Sequence, residues 1–156
     1  YNRFMNELAL LLPTNQIYLD VAVNDIDELF HLASSHFSSQ NPQLHIKSIT
    51  ECLQDREKLG STGLGVGVAI PHGRLKGLKE PIISFYRLLN GIDFKTSDQM
   101  AVDIVIFLLV PELATQKHLD LLSEIAQILA DKLKRVQLRE ANTTVALRTV
   151  MVGQAN

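Results

Sequence analysis

Hydrophobic positions change their spacing twice along this chain, and each change marks a different kind of element. In the first sixty residues they recur at helical intervals. Residues 4–12 (FMNELALLL) carry an apolar stripe that Pro13 ends, and Ile17-Tyr18-Leu19 reads as a brief strand. Ile26, Leu29, Phe30, Ala33 and Phe37 repeat every three or four residues, which predicts an amphipathic helix over 25–38. Asn24 is placed to cap it, with Asp25, Asp27 and Glu28 in the first turn, at the positive end of the helix dipole. After the loop SSQNPQ, Ile46, Ile49 and Leu53 mark a second helix that reaches about Leu59 and stops at Gly60. The middle of the chain then loses the helical period. Val66–Ile70, Ile82–Leu89 and Val102–Val110 are apolar runs of strand length, the second with one embedded charge, Arg87. The third is almost uninterrupted, as in a strand buried on both faces. The links between them, GRLKGLKEP and NGIDFKTSDQ, are rich in turn formers, and Asn90-Gly91 predicts a hairpin-type turn.

Beyond Pro111 the helical period returns. Leu119, Leu122, Ile125, Ala126, Leu129 and Leu133 form a long stripe, Lys134–Ala141 predicts a further helix, and Asn142 is placed to cap a last one through Met151. Helices first, strands in the middle and helices last predict an α/β sandwich around a small mixed sheet. No repeat or low-complexity linker divides the chain, so the expectation is a single domain over residues 1–156.

Charge and composition narrow the function classes. With 15 basic and 17 acidic residues the net charge is −2, which gives no electrostatic pull toward nucleic acid or anionic lipid. The longest apolar run, Ile104–Val110, is far shorter than the ~20 residues of a membrane span. The start, YNRFMNELALLLP, has no signal-peptide pattern, and the lone cysteine, Cys52, forms no internal disulfide; both point to a cytoplasmic protein. Cys52 reads as a small core residue.

Chemistry concentrates between Arg56 and Arg74, REKLGSTGLGVGVAIPHGR, which holds Gly60, Gly63, Gly65 and Gly67, four of the chain's eight glycines. The glycines do not make a nucleotide site. No Lys follows them as a Walker A loop requires, and the third glycine of a dinucleotide fingerprint is replaced by Val68. The five histidines show no HExxH pair and the cysteine no CxxC partner, so no metal site is expected; His31 and His36 read as solvated surface. A serine hydrolase elbow, G-x-S-x-G, is absent. There remains His72, placed at a Pro71-His72-Gly73 turn after an apolar run. A neutral imidazole is a nucleophile toward phosphorus. Phosphoryl transfer asks the protein for positioning and for donors around the spread negative charge. Backbone amides of the glycine loop including Gly63, the hydroxyls of Ser61 and Thr62, and the Arg56 guanidinium are the candidate donors. The residues alone leave open whether His72 does this or is a structural histidine in a glycine-rich turn. For His118, in TQKHLDLL, they favour a helix-surface residue over a second imidazole. Arg74, Lys76 and Lys79 read either as a docking patch for an acidic partner or as a solvated loop.

The string RE-x-x-GSTG-x-G…AIPHG resembles the signature of phosphotransferase-system IIA proteins of the fructose/mannitol type, and most of all their nitrogen-regulatory branch. GIDF (91–94), AVDIVIFLLVP (101–111) and TQKHL (115–119) continue the resemblance over residues 8 to 150. The resemblance implies a three-layer α/β/α sandwich around a mixed five-stranded sheet. It implies that His72 is phosphorylated by a small HPr/NPr-like phosphocarrier, with Arg56 as the phosphate-contacting arginine, His118 as the second active-site histidine, and no cofactor. The nitrogen-regulatory branch implies control of other proteins, including potassium-transport and sensor proteins, by phosphorylation state. The sugar branch implies passage of the phosphoryl group to a IIB domain. Many relatives carry Asn where this chain has Val66.

Overall fold

A computed structural model of the chain describes residues 7–153; residues 4–6 of the first expected helix lie outside the described residues. In chain order the elements are α1 (Glu7–Leu11), β1 (Ile17–Val21), α2 (Ile26–Gln40), α3 (Ile46–Lys58), β2 (Gly63–Gly65), β3 (Val68–Ala69), β4 (His72–Leu75), β5 (Ile82–Ile92), β6 (Val102–Pro111), α4 (Gln116–Ala130), α5 (Lys132–Glu140) and α6 (Thr144–Val152).

The most apolar run in the sequence, β6, holds three neighbours. It pairs antiparallel with β5 and parallel with both β3 and β4, which take successive stretches of its other edge. The sheet order is β1-β5-β6-β3-β2, with β4 joined to β6, so the mixed sheet has six strands where the resemblance implied five. Alternation along β6 divides the core. Val105, Phe107 and Leu109 face the layer of α2 and α3. Ile104, Ile106 and Leu108 face α1, α4 and α6. Residues Ile104 to Leu109 are at most 2% exposed, and full burial of such a side chain contributes about 1.5–3 kcal/mol each. The fold is thus the expected three-layer α/β/α sandwich.

Arg87, the one charge in β5, is a helix cap. Its guanidinium donates to the carbonyls of Leu138 and Ala141 at the end of α5 and pairs with Asp20 at 3.2 Å. An isolated cation in an apolar strand is thereby satisfied by carbonyls that the helix itself cannot use.

Several local expectations change. Asn90 and Gly91 lie inside β5, not in a turn; a Cβ on Gly91 would sit 2.8 Å from that of Ala101, so glycine serves close packing at an irregular stretch of the ladder. The cap of α2 is Asp25, whose carboxylate accepts from the Glu28 amide, and that of α6 is Thr143, accepting from Ala146. Neither Asn24 nor Asn142 is the cap. The run Val66–Ile70 is not one strand: β2 and β3 form a hairpin with Val66-Gly67 as its turn. Both turn residues have positive φ, 51° and 82°, the combination of a primed two-residue turn that favours Asn-Gly. A β-branched residue is strained there. It is held by Asp98, which accepts from its amide at 2.8 Å, and by Arg139, which donates to its carbonyl at 2.9 Å. Nor is His36 solvated surface. Its ring stacks on Tyr18 at 4.2 Å and its Nδ1 lies 2.6 Å from the Tyr86 hydroxyl, tying α2 to the sheet.

Two measurements follow. Val66→Asn relieves the turn and raises the unfolding free energy by about 1 kcal/mol, seen as a higher urea midpoint. Burial lowers the His36 pKa below the ordinary histidine value. As pH falls through that ordinary value, the unfolded chain therefore takes up a proton before the native ring does, and stability drops. His36→Gln should show a smaller loss of melting temperature between pH 7 and 5 than the wild type; an equal loss would assign the dependence elsewhere.

Candidate functional site

One end of the sheet carries a cleft of about 500 Å³ that is lined by His72, Arg56 and His118 together, with Asp55, Arg74 and the apolar Leu59 and Leu119 among its other walls. Each of the three reaches it from a different element. His72 opens β4, where it pairs with Leu108. The expected Pro71-His72-Gly73 turn is thus a strand start, held because the Pro71 carbonyl accepts from the Leu108 amide at 3.0 Å. Arg56 lies in the last turn of α3 and donates through Nη1 to the Gly60 carbonyl at 2.8 Å. Its remaining N–H groups are available to an anion. His118 sits in the first turn of α4 and lines the cleft with Leu119 and Leu122 of the same helix.

The hydrogen bonds of the two imidazoles assign their protons. His72 Nδ1 is 2.7 Å from the Ile70 carbonyl. A carbonyl only accepts, so Nδ1 bears the hydrogen and Nε2 keeps its lone pair. His118 Nδ1 accepts from the Thr115 backbone N–H at 3.1 Å. Its proton therefore resides on Nε2. Within one cleft, one ring thus offers a lone pair and the other an N–H donor.

The glycine segment is placed elsewhere. Its hairpin turn lies level with Asp103, whose amide donates to the Gly67 carbonyl, whereas His72 is level with Leu108. Five strand residues separate the two levels, roughly 16 Å. Gly60, Gly63, Gly65 and Gly67 do not line the cleft, and neither do Ser61 and Thr62; Gly73 does. The Ser61 hydroxyl donates to the Phe94 carbonyl and that of Thr62 to Glu57. Gly73 is required because a Cβ there would meet Cys52 Sγ at 2.7 Å. Cys52 lines the cleft and donates to the Arg74 carbonyl, with its thiol pKa pushed up by burial and by the Asp55 carboxylate. It stays a thiol and is no nucleophile. Sequence reasoning missed Asp55, Cys52 and Arg74 as cleft walls. For Arg74 a signal existed, since two positions beyond His72 on a strand is the same face. Among the described residues no cluster of His, Cys, Asp or Glu could hold a metal ion, and no helix is long and apolar enough to cross a membrane.

Comparison with known proteins agrees with the geometry of the fold. A nitrogen regulatory protein of Pseudomonas aeruginosa is 45% identical over 74% of this chain and 75% of its own. A fructose-specific EIIA component of the phosphotransferase system from Haloferax volcanii is 31% identical over 65% of this chain and 66% of its own. The crystal structure of nitrogen regulatory protein IIA-Ntr from Neisseria meningitidis superposes with a TM-score of 0.89 at 37% identity, covering 94% of this chain and 99% of that one. Residues 10–152 match the family model described as "Phosphoenolpyruvate-dependent sugar phosphotransferase system, EIIA 2", and the chain belongs to that family.

Proposed function

We propose that this protein is a nitrogen-regulatory IIA protein that accepts a phosphoryl group on His72 Nε2 from an HPr/NPr-like phosphocarrier and controls partner proteins through that modification. The observation that carries the reading is the complementary protonation of His72 and His118 in one cleft beside Arg56. The Nε2 lone pair of His72 attacks the phosphorus of the carrier's phosphohistidine. The new N–P bond forms as the carrier's N–P bond breaks, and the electron pair of the broken bond returns to the carrier's imidazole. The proton on His72 Nδ1 stays in place, and the Ile70 carbonyl stabilises the positive charge that the ring acquires. His118 Nε2–H and the free N–H groups of Arg56 hold the phosphoryl oxygens. The exposed Leu59 and Leu119 give the mouth of the cleft an apolar rim for the carrier.

Phosphorylation adds about −1.5 to −2 charges if a phosphoimidazole resembles other phosphorylated side chains. Against a net charge of −2, that changes the potential of the docking face without a backbone movement. Potassium-transport and sensor proteins are the proposed class of target. The likeness to a fructose-specific component supports a second reading, in which the group passes on to a IIB domain; transfer from the phosphorylated protein to a purified IIB domain distinguishes them.

Incubation with enzyme I, carrier and phosphoenolpyruvate should add one acid-labile phosphoryl group, and His72→Ala should abolish it. Retained labelling in that variant would remove His72 from the role. Arg56→Gln should slow acceptance by about 10²-fold, the cost of losing one aligned donor to developing negative charge, while the far-ultraviolet circular dichroism is unchanged.

A further inference from the structure

We infer that Glu57 is a positioning residue for the accepting ring, acting through Thr62; this rests on the reading of His72 as the phosphoryl acceptor. Glu57 follows Arg56 on α3 and does not line the cleft. Its two carboxylate oxygens take both polar groups of one buried residue: Oε1 accepts from Thr62 Oγ1 at 2.6 Å and Oε2 from the Thr62 amide at 3.0 Å. Thr62 is 4% exposed. Its carbonyl accepts from the Ile70 amide at 3.1 Å, and the Ile70 carbonyl holds His72 Nδ1–H. A continuous path of hydrogen bonds therefore joins the carboxylate to the group that sets the tautomer of the ring.

The same carboxylate also governs Arg56. The segment from Leu59 to Thr62 is pinned at its far end by Glu57, and the carbonyl on which Arg56 rests belongs to Gly60, inside that segment. Without the carboxylate, the buried amide and hydroxyl of Thr62 lose their partners, and the segment must shift to reach water. That shift moves the Thr62 carbonyl off Ile70 and the Gly60 carbonyl off Arg56 together. The loss is partial, because β4 is also held from β6 by the bond between the Pro71 carbonyl and the Leu108 amide. Glu57 thus sets the alignment of acceptor and cation without building the cleft.

The test pairs nitrogen-15 spectra of the histidine rings with the rate of transfer from a phosphorylated carrier, in wild type and in Glu57→Ala, Thr62→Val and Thr62→Ser. Glu57→Ala and Thr62→Val should give mixed His72 tautomers and transfer slowed by about tenfold, as for a modest misplacement of reacting groups. Thr62→Ser, which keeps the hydroxyl, should stay near wild type in both. The inference is overturned if Glu57→Ala and Thr62→Val keep a single Nδ1–H form and wild-type transfer, or if they lose only melting temperature. Should Glu57→Ala not fold, Thr62→Val decides alone, since it leaves every main-chain bond available. Should the wild type accept no phosphoryl group, the acceptor reading falls, while the tautomer spectra still decide the role of Glu57.

Discussion

The hydrogen bond from His72 Nδ1 to the Ile70 carbonyl, at 2.7 Å, is the constraint on which the chemistry proposed for this protein depends. It does three things at once. It places the proton on the nitrogen that faces the main chain, leaves a lone pair on the nitrogen that faces the cleft, and prevents the ring from exchanging the two. A carbonyl is suited to this because it has no hydrogen to give, so the assignment cannot reverse. The backbone around it is stiff. Ile70 is 2% exposed and bonded through its amide to Thr62, and Pro71 has a fixed φ.

That stiffness comes from the sheet. β6 is buried on both faces, and its two sets of alternating side chains are the centres of separate apolar layers. The edge it shares with β3 and β4 fixes the height at which the chain reaches His72. The helices add the rest of the site by where they stop and start: α3 ends at Arg56 and Lys58, and α4 begins three residues before Leu119. A negative group in the cleft therefore meets walls that include the arginines Arg56 and Arg74 and the His118 ring from the first turn of α4. The opposing charge in the walls is Asp55.

Much of this was legible in the chain. β6 announced itself by nine nearly unbroken apolar residues, and α2 and α4 by their stripes, because burial on a whole face leaves a periodic trace. His72, Arg56 and His118 were singled out by residue chemistry together with a family resemblance, and the structure brings all three to one cleft. What was not legible depends on contacts between distant positions. HGRL has no strand pattern, and it is a strand only because β6 offers a free edge. Asn90-Gly91 carries a strong local turn signal that Ala101, packed against Gly91, overrides. His36 looked like surface because Tyr18 and Tyr86 lie 18 and 50 positions away. The glycines were read as a cradle for an anion. They instead shape a hairpin whose turn sits at the opposite end of β3 from the cleft, since a sequence shows where backbone freedom is but not which way a loop points.

The account stands most directly on which ring nitrogen of His72 carries phosphorus after transfer from a carrier. Phosphorus–nitrogen coupling in protein labelled with nitrogen-15 at histidine measures this without any substitution. Coupling to Nε2, with Nδ1 still protonated, is the predicted result. Phosphorus on Nδ1 would mean that the Ile70 carbonyl does not hold the ring during the reaction, and would contradict the assignment from which the mechanism is built.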